Sequence, residues 1–545
     1  MWLQSYTPIF SSLALSAFAA ALPLAIVLGL FLSRRMSAHM AALAGLVVTL
    51  LVACGIYGMP LTLAVTACAY GFLYGLFPIG WIVVSALFVY EVTVHTGTFD
   101  IVKASISSIT GDIRIQMLLI AFCFGAFIEG AAGFGTPVAI STAMLIGLGI
   151  PAVAASRLTL LGNTVPVAFA ALGTPVIALA SVTGLSVLGL SAMIGRQLFL
   201  IALLIPFYLL WVFAGWKRML EVWPACAVAG GSFALTQLLI SNFSGPWIVG
   251  LASGITSLAS LLILLRFWKP KNLHAEDGHP SAKNFPSYSR REYARAWAPW
   301  IILSLFVFLW GMPPVKSALE SIEGTALTNI PVPMLHLSVI RNVPLVPTPR
   351  QEKALFTFNW LTTTGTSLFV SGVLSALLLG VTPIHIGKIF LRTLKRILRS
   401  LLAIAFMLAF AFTIRYGGLD ATLGLVFAGT GVLFPFFSPL LGWLGVAITG
   451  SDTTSNVLFG NMQQVTAQTL GISPILAAAS QSAGGVIGKM VSTQSIVVAC
   501  AATNSQGEEG RILRSVLLPS ILLVIVLGIL VMFFAYVVPW MIPQN

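Results

Sequence analysis

Long runs without a charged side chain dominate this chain, and their lengths set the first predictions. A helix needs roughly 20 apolar residues to cross a bilayer core, and apolar runs at 9–32, 40–58 and 61–95 are of that order or longer. A connector with Asp100, Lys103, Asp112 and Arg114 follows and reads as an amphipathic segment near the interface. Beyond it the uncharged stretches have unusual lengths: 14 residues between Arg114 and Glu129, 27 between Glu129 and Arg157, and 38 between Arg157 and Arg196. The last contains Gly162, Pro166, Gly173, Pro175 and Gly184, so it must break or reverse direction. Conventional spans are predicted again at 197–216, 220–240 and 246–265.

The polar stretch at 266–296 reads as a linker between two halves, 1–265 and 297–545. In the second half a span at 297–312 precedes a Pro-rich segment of mixed charge, 313–354, expected to be external. Another span at 356–381 leads to Lys388, Arg392, Lys395, Arg396 and Arg399, whose spacing makes a basic helix face that suits a lipid surface and equally a solvated one. Uncharged stretches of 31 and 36 residues flank Asp452. A shift of 322 positions aligns Gly149-Ile150 with Gly471-Ile472 and Gly162 with Gly484, and places Glu129-Gly130 on Ser451-Asp452. The predicted fold is an all-α polytopic membrane protein of about 12–14 transmembrane or re-entrant segments in two inverted repeats. Re-entrant regions at 115–195 and 421–505 would bring hairpin tips together near the midplane.

Composition removes the alternatives. The 545 residues are 58% hydrophobic and 8% charged, against about 25% charged in soluble domains. The net charge of +13 would suggest nucleic acid in a soluble chain. Here five clusters (Arg34 and Arg35; Lys217 and Arg218; Arg266 to Arg295; Lys388 to Arg399; Arg511 and Arg514 with Glu508 and Glu509) hold 18 basic and five acidic residues and account for all of it. Such clusters mark cytoplasmic loops, so no nucleic-acid partner is expected. The first apolar run has no basic region before it and reads as a retained span, which puts the N-terminus outside. Cys54, Cys68, Cys123, Cys226 and Cys500 show no paired spacing and read as packing; neither a disulfide framework, a metal site nor a cofactor is indicated.

Against this background a few polar residues stand out. Glu129 opens Glu-Gly-Ala-Ala-Gly-Phe-Gly-Thr-Pro, with Gly133, Gly135 and Pro137 suited to a tight tip. An ionised carboxylate at bilayer depth costs at least roughly 2.5–3.5 kcal/mol, so it needs a partner, a proton or water; a helix cap at the interface is the plainer account. Thr449-Gly-Ser-Asp-Thr-Thr-Ser-Asn456 is the most polar stretch between long apolar flanks. Half-helices meeting there would present free N–H groups to an anion, with Ser451, Thr453, Thr454, Ser455 and Asn456 adding donors; a polar loop is the alternative. Lys489, near Ser492 and Gln494, is an isolated ammonium that pairs with a substrate or snorkels to a surface. Neither Gly-rich run is a P-loop, because Gly135 precedes Thr136-Pro137 and Lys489 precedes Met490. Asn163 and Thr164 are further donors or simple packing residues. Arg157, Arg196 and Arg415 read as interfacial or structural, and His95 with Glu91 as a helix end near water or a proton relay.

The runs Gly125-Ala-Phe-Ile-Glu-Gly-Ala-Ala-Gly-Phe-Gly-Thr-Pro-Val-Ala, Asn163-Thr-Val-Pro-Val-Ala-Phe, Trp443-Leu-Gly-Val-Ala-Ile-Thr-Gly-Ser-Asp-Thr-Thr-Ser-Asn456 and Gly484-Gly-Val-Ile-Gly-Lys-Met-Val-Ser-Thr-Gln-Ser-Ile resemble those of the bacterial L-lactate permease family. The resemblance implies uptake of L-lactate, and commonly D-lactate and glycolate, with protons across the inner membrane. It also implies a fold of two inverted repeats with re-entrant hairpins. On that reading Glu129 or Asp452 carries the proton, and Lys489 with the Ser451 to Asn456 tip holds the carboxylate. Asn163, Thr164 or Gln494 is then available to the 2-hydroxyl, and Gly133, Gly135 and Ser492 complete the candidate set. The expected partners are a small monocarboxylate, protons and membrane lipid, with the oligomeric state left open, a homodimer included. A sodium-coupled transporter of another organic anion is the alternative; a channel or a membrane enzyme fits the paired tips and scattered histidines less well.

Overall fold

The computed structural model describes residues 1–33, 36–133, 136–270, 288–323, 329–344, 348–503 and 508–544. Twelve helical stretches among them are long and apolar enough to cross a membrane. Their outward faces are apolar too: Phe18, Leu51, Phe243, Ile263 and Leu518 are exposed while Phe88, Phe122, Phe127 and Leu408 are buried. Surface that apolar is stable only against lipid, because no hydrophobic gain comes from leaving it in water.

The chain begins with strand β1 (Trp2–Leu3), then α1 (Leu13–Ser33), α2 (Ala38–Gly55) and α3 (Leu61–Tyr74). The last continues through an extended residue, Phe77, into α4 (Trp81–His95), and Gly97 turns the chain into α5 (Thr98–Ser107). Helix α6 (Ile113–Leu118) widens through a π turn at residues 119–124 and resumes as α7 (Gly125–Ala131). Three short helices follow, α8 (Thr136–Gly147), α9 (Ala152–Gly162) and α10 (Ala170–Thr183), and the first half closes with α11 (Val187–Ala214), α12 (Trp216–Leu220), α13 (Trp223–Phe243) and α14 (Val249–Phe267).

Helix α15 (Arg290–Gly311) starts earlier than the hydropathy pattern predicts, because Ser289 and Glu292 form a reciprocal capping box inside the polar linker. The middle of that linker, 271–287, lies outside the described residues, as do Arg34, Arg35, Glu276 and Asp277. Helix α16 (Pro313–Glu323) and strands β2 (Ile330–Pro331), β3 (Val339–Arg341), β4 (Arg350–Gln351) and β5 (Leu355–Phe356) occupy the Pro-rich segment. Strand β5 pairs with β2, which takes the start of the span predicted at 356–381 and leaves α17 (Thr364–Leu378) at 15 residues. Then come α18 (Pro383–Gly417), α19 (Leu419–Phe427), α20 (Phe434–Thr449), α21 (Asp452–Thr469), α22 (Pro474–Gly488), α23 (Thr493–Thr503) and α24 (Glu509–Tyr536).

Residues 61–214 and 383–536 repeat the same order of helices, and the predicted shift of 322 positions matches several bounds: α9 begins at Ala152 and α22 at Pro474, while α11 and α24 each run for 28 residues from Val187 and Glu509. Gly149 and Gly471 both turn the chain with positive φ, 87° and 68°. Packing shows the repeats to be inverted. Helices α20 and α22 run parallel, since a Cβ on Gly484 would meet Pro439 and one on Gly488 would meet Trp443. Helices α20 and α24 run antiparallel, because Trp443 Nε1 donates to Ser520 Oγ at 2.9 Å while Gly528 abuts Phe436. Helix α11 runs parallel to α22, with Gly189 against Ile475 and Gln197 Nε2 donating to Ser480 Oγ at 3.0 Å. The counterparts α11 and α24 therefore point in opposite directions, as in a repeat related by an axis in the membrane plane.

A small cap covers one end. Strand β1 pairs in parallel with β3, which pairs antiparallel with β4, so the N-terminus and the Pro-rich segment share a face. Gln4 Nε2 donates to the carbonyls of Arg415 and Tyr416 at 3.0 and 2.9 Å, and Glu352 accepts from both Arg341 and Arg415. Arg415, expected to be interfacial or structural, also donates to Val182 O at 2.8 Å and so caps the C-terminal end of α10.

Candidate substrate and proton site

Each half supplies a helical hairpin with a tip and a broken helix beside it. In the first half the arms are α7 and α8; Gly133 stands at the tip with φ 59°, and a Cβ there would lie 3.3 Å from Ala171. Gly135 lies outside the described residues. The adjoining helix is broken at the start of α10, where Ala171, Leu172 and Gly173 are all left-handed. For the two L-residues this costs roughly 1–2 kcal/mol each, and such strain persists only where packing over-determines it. Pro246 supplies part of that packing, close against Gly173.

In the second half the arms are α20 and α21. Gly450, at φ 75° and ψ 4°, ends α20 in a conformation that penalises a Cβ, and Ser451 caps α21 by accepting from Thr454 N at 3.2 Å. The neighbouring helix breaks after Lys489–Val491, and Ser492 starts α23 by accepting from Ser495 N at 3.2 Å.

Three buried charged side chains meet where these pieces converge. Glu129, 2% exposed, accepts from Asn163 Nδ2 at 2.9 Å. Asp452, 3% exposed, accepts from Ser482 Oγ at 2.7 Å and from Asn456 Nδ2 at 3.3 Å. Asn456 Nδ2 also donates to Pro175 O at 3.2 Å, which ties the second hairpin to the broken helix of the first half. Lys489 donates to Gly450 O at 2.5 Å and feels both Glu129 and Asp452 electrostatically, with no carboxylate within ion-pair distance among the described residues. Asp452 Oδ1, Asn163 Oδ1 and Asn456 Oδ1 are buried without a partner among the described residues. Unused buried acceptors next to an ammonium are costly unless a ligand, proton or water engages them.

The predicted residues divide. Glu129, Asn163, Asp452, Asn456 and Lys489 are brought together, and Ser451, Thr453 and Thr454 are half-buried on the second tip beside exposed Gln494. Other hydroxyls are already engaged: Thr164 bonds Leu160 O at 3.1 Å, Ser455 accepts from Gln481 Nε2 at 2.9 Å, and Ser492 pairs with Ser495 Oγ at 2.7 Å. The two carboxylates are not symmetry mates. Asp452 is the first residue after its tip, whereas Glu129 sits in the arm before its own: α8 and α21 end in register at Gly147 and Thr469, but α8 has only 12 residues against 18, so the first tip falls later in its repeat than the second. Ser482, which the sequence reading missed, lies seven residues before Lys489 and thus two helical turns away on the same face. Elsewhere, Glu91 pairs with Arg396 across α4 and α18 and His95 is exposed; Arg157 bonds Val212 O at 3.0 Å and Arg196 bonds Asn242 Oδ1 at 2.9 Å.

The family model described as L-lactate permease matches residues 16–538. The chain belongs to the L-lactate permease family. It is 43% identical to the glycolate permease GlcA of Escherichia coli (strain K12), covering 98% of each chain. It is 41% identical to the L-lactate permease of Bacillus subtilis (strain 168), covering 99% of this chain and 100% of that one. It is also 41% identical to the L-lactate permease of Escherichia coli (strain K12), with 100% of both covered. The relatives are named as permeases, and the buried cluster lies within the matched span of a multi-pass membrane protein.

Proposed function

We propose that this chain takes up L-lactate, together with D-lactate and glycolate, by symport with protons across the bacterial inner membrane. The observation that carries the reading is Lys489: a buried ammonium on the broken helix beside the second hairpin, bonded to Gly450 at its tip, in the field of two carboxyl groups and within ion-pair distance of neither. A substrate carboxylate at Lys489 is also within the field of the free N–H groups at the start of α21. Asn163 and Gln494 offer hydrogen bonds to a 2-hydroxyl, and Glu129 or Asp452 takes the proton, since burial penalises the charged form of a carboxyl group. Energetics favour coupling: moving one negative charge against an inside-negative potential costs about 2.3 kcal/mol per 100 mV, and one proton cancels it.

Purified protein in proteoliposomes tests this. An inwardly directed proton gradient drives labelled L-lactate accumulation in the wild type, and Glu129→Gln or Asp452→Asn abolishes it. If both variants accumulate lactate normally, the proton assignment is wrong. Counterflow against short 2-hydroxy acids tests the substrate: competition by dicarboxylates but not by lactate or glycolate rejects it.

A further inference from the structure

Helix α18 presents three unlike faces over its first half. Ile386, Ile389, Thr393 and Ile397 are buried, and Phe390 beside them packs on Trp81 and Phe88 of α4 and on Phe369 of α17, with ring centroids 6.3, 5.5 and 5.3 Å away. Ile384, Leu391 and Leu398, spaced seven apart, form an exposed apolar stripe. Lys388, Arg392, Lys395 and Arg399, spaced four, three and four apart, form a second exposed stripe beside it. None of these four has a carboxylate within 4 Å among the described residues, whereas Arg396, at the edge of the stripe, pairs with Glu91.

Arg415 lies 16 positions after Arg399, about 24 Å along a helix rising ~1.5 Å per residue, and no charge stands between them. That is most of a hydrocarbon core of about 30 Å, so the basic stripe stands at and beyond one edge of the core, where long side chains reach the headgroups. Arg295, near the start of α15, donates to Leu379 O at 2.9 Å just before the turn into α18, so the polar linker that precedes α15 opens on the same edge. The basic excess of that linker marks the edge as cytoplasmic. The duplication supplies a control. The shift of 322 sets the stripe on Thr66, Tyr70, Leu73 and Phe77 of the first half, none of them charged. Helix α3 runs antiparallel to α18, since a Cβ on Gly71 would meet Leu408 and one on Gly75 would meet Ala405, so it starts at the opposite edge. The fold therefore makes this helix without the charges, and they stand only in the copy that starts on the inner side.

An apolar stripe alongside four unpaired cations fits neither water, which penalises the first, nor acyl chains, which penalise the second. It fits the headgroup region, and the excess of positive charge selects headgroups that are negative. We propose that the first half of α18 is a docking surface for anionic phospholipid of the cytoplasmic leaflet, with phosphates on Lys388, Arg392, Lys395 and Arg399 and acyl chains on Ile384, Leu391 and Leu398. Because α18 runs unbroken for 35 residues to the end that carries Arg415, lipid held there fixes the same helix that anchors the cap.

The test is direct binding. Purified full-length protein in detergent is mixed with phosphatidylglycerol and phosphatidylcholine of matched chains, and native mass spectrometry counts the lipid retained. One basic side chain near an anionic surface is worth about fivefold in partition. The wild type is expected to retain phosphatidylglycerol at least tenfold over phosphatidylcholine, and the combined variant Lys388→Gln, Arg392→Gln, Lys395→Gln, Arg399→Gln to bring the two lipids within twofold. Lys217→Gln with Arg218→Gln, at another basic cluster, keeps the preference. Equal retention of both lipids by the wild type would mean that the stripe is solvated or serves only to orient the chain during insertion, and overturns the proposal. So does a preference that survives the combined variant, or one lost equally when Lys217 and Arg218 are changed. If the combined variant does not fold, Arg392→Gln and Arg399→Gln are measured singly, each expected to lower the preference at least twofold; no change in either overturns the proposal.

Discussion

Among single residues, Ser482 offers the sharpest check on the site because its hydroxyl does one thing: it donates to Asp452 at 2.7 Å. A hydrogen bond to an ionisable carboxyl group is worth about 1.5–3 kcal/mol, so Ser482→Ala is expected to lower the initial rate of lactate uptake at least tenfold without reducing the amount of folded protein in detergent. Wild-type uptake in that variant would show that the Asp452 carboxyl group needs no orientation. Much of the site was legible at this scale. Glu129, Asp452 and Lys489 stand in uncharged flanks where an isolated charge has a large desolvation cost, and that cost is visible without coordinates. Ser482 was not, because a serine in an apolar helix has the same sequence signature whether it bonds its own backbone or a distant carboxyl group.

At the scale of elements, hydropathy located the long helices but misjudged their ends. A capping box moved the start of α15 to Arg290, and a two-residue strand pairing shortened α17; neither leaves a periodic trace. The cap itself is built from strands of two or three residues and was read only as an external polar segment. Its anchor makes a pH-dependent prediction. Burial alone would raise the Glu352 carboxyl group, yet Arg415 and Arg341 outweigh it and hold the group below its ordinary value. A carboxyl group depressed in the folded state contributes stability that is complete above its unfolded value and is lost as pH falls through its folded one. Glu352→Gln is therefore expected to lower thermal stability at neutral pH, by on the order of 3 kcal/mol because half-buried Arg415 and Arg341 are left without their counter-charge, and to make acidification cost less than it does in the wild type. Parallel melting curves at neutral and acid pH that drop by equal amounts in both proteins would show that the anchor carries no such load.

For the molecule as a whole, the inverted repeat is suggested by a handful of glycines, and the shift they give holds on both sides of each hairpin: Leu61–His95 falls on Pro383–Gly417 upstream, as Val187 falls on Glu509 downstream, and the hairpin tips alone depart from it. The reason is physical: the positive φ of Gly149 and Gly471 strains any L side chain, and the close approaches at Gly162 and Gly484 leave no room for one, so glycine stands at these places in both copies. The hairpin tips depart from that register: α8 and α21 end in step at Gly147 and Thr469, yet one has 12 residues and the other 18, so the turn between the arms comes at different points.

If the two inverted copies exchange conformations during transport, the one arrangement implies the other. The tips are in unlike environments: Ala131 to Gly133 are buried, whereas Thr453 and Thr454 are half-buried and Gln494 is exposed. If each copy adopts the other's conformation, the environments trade places and the mouth of the protein changes sides, with the chemistry left where it is. In a background lacking the five native cysteines, Thr453→Cys and Ala132→Cys should therefore respond oppositely to lactate and a proton gradient, one gaining and the other losing reactivity toward a water-soluble thiol reagent. Parallel changes at both positions would mean that the molecule opens by some motion its own duplication does not encode.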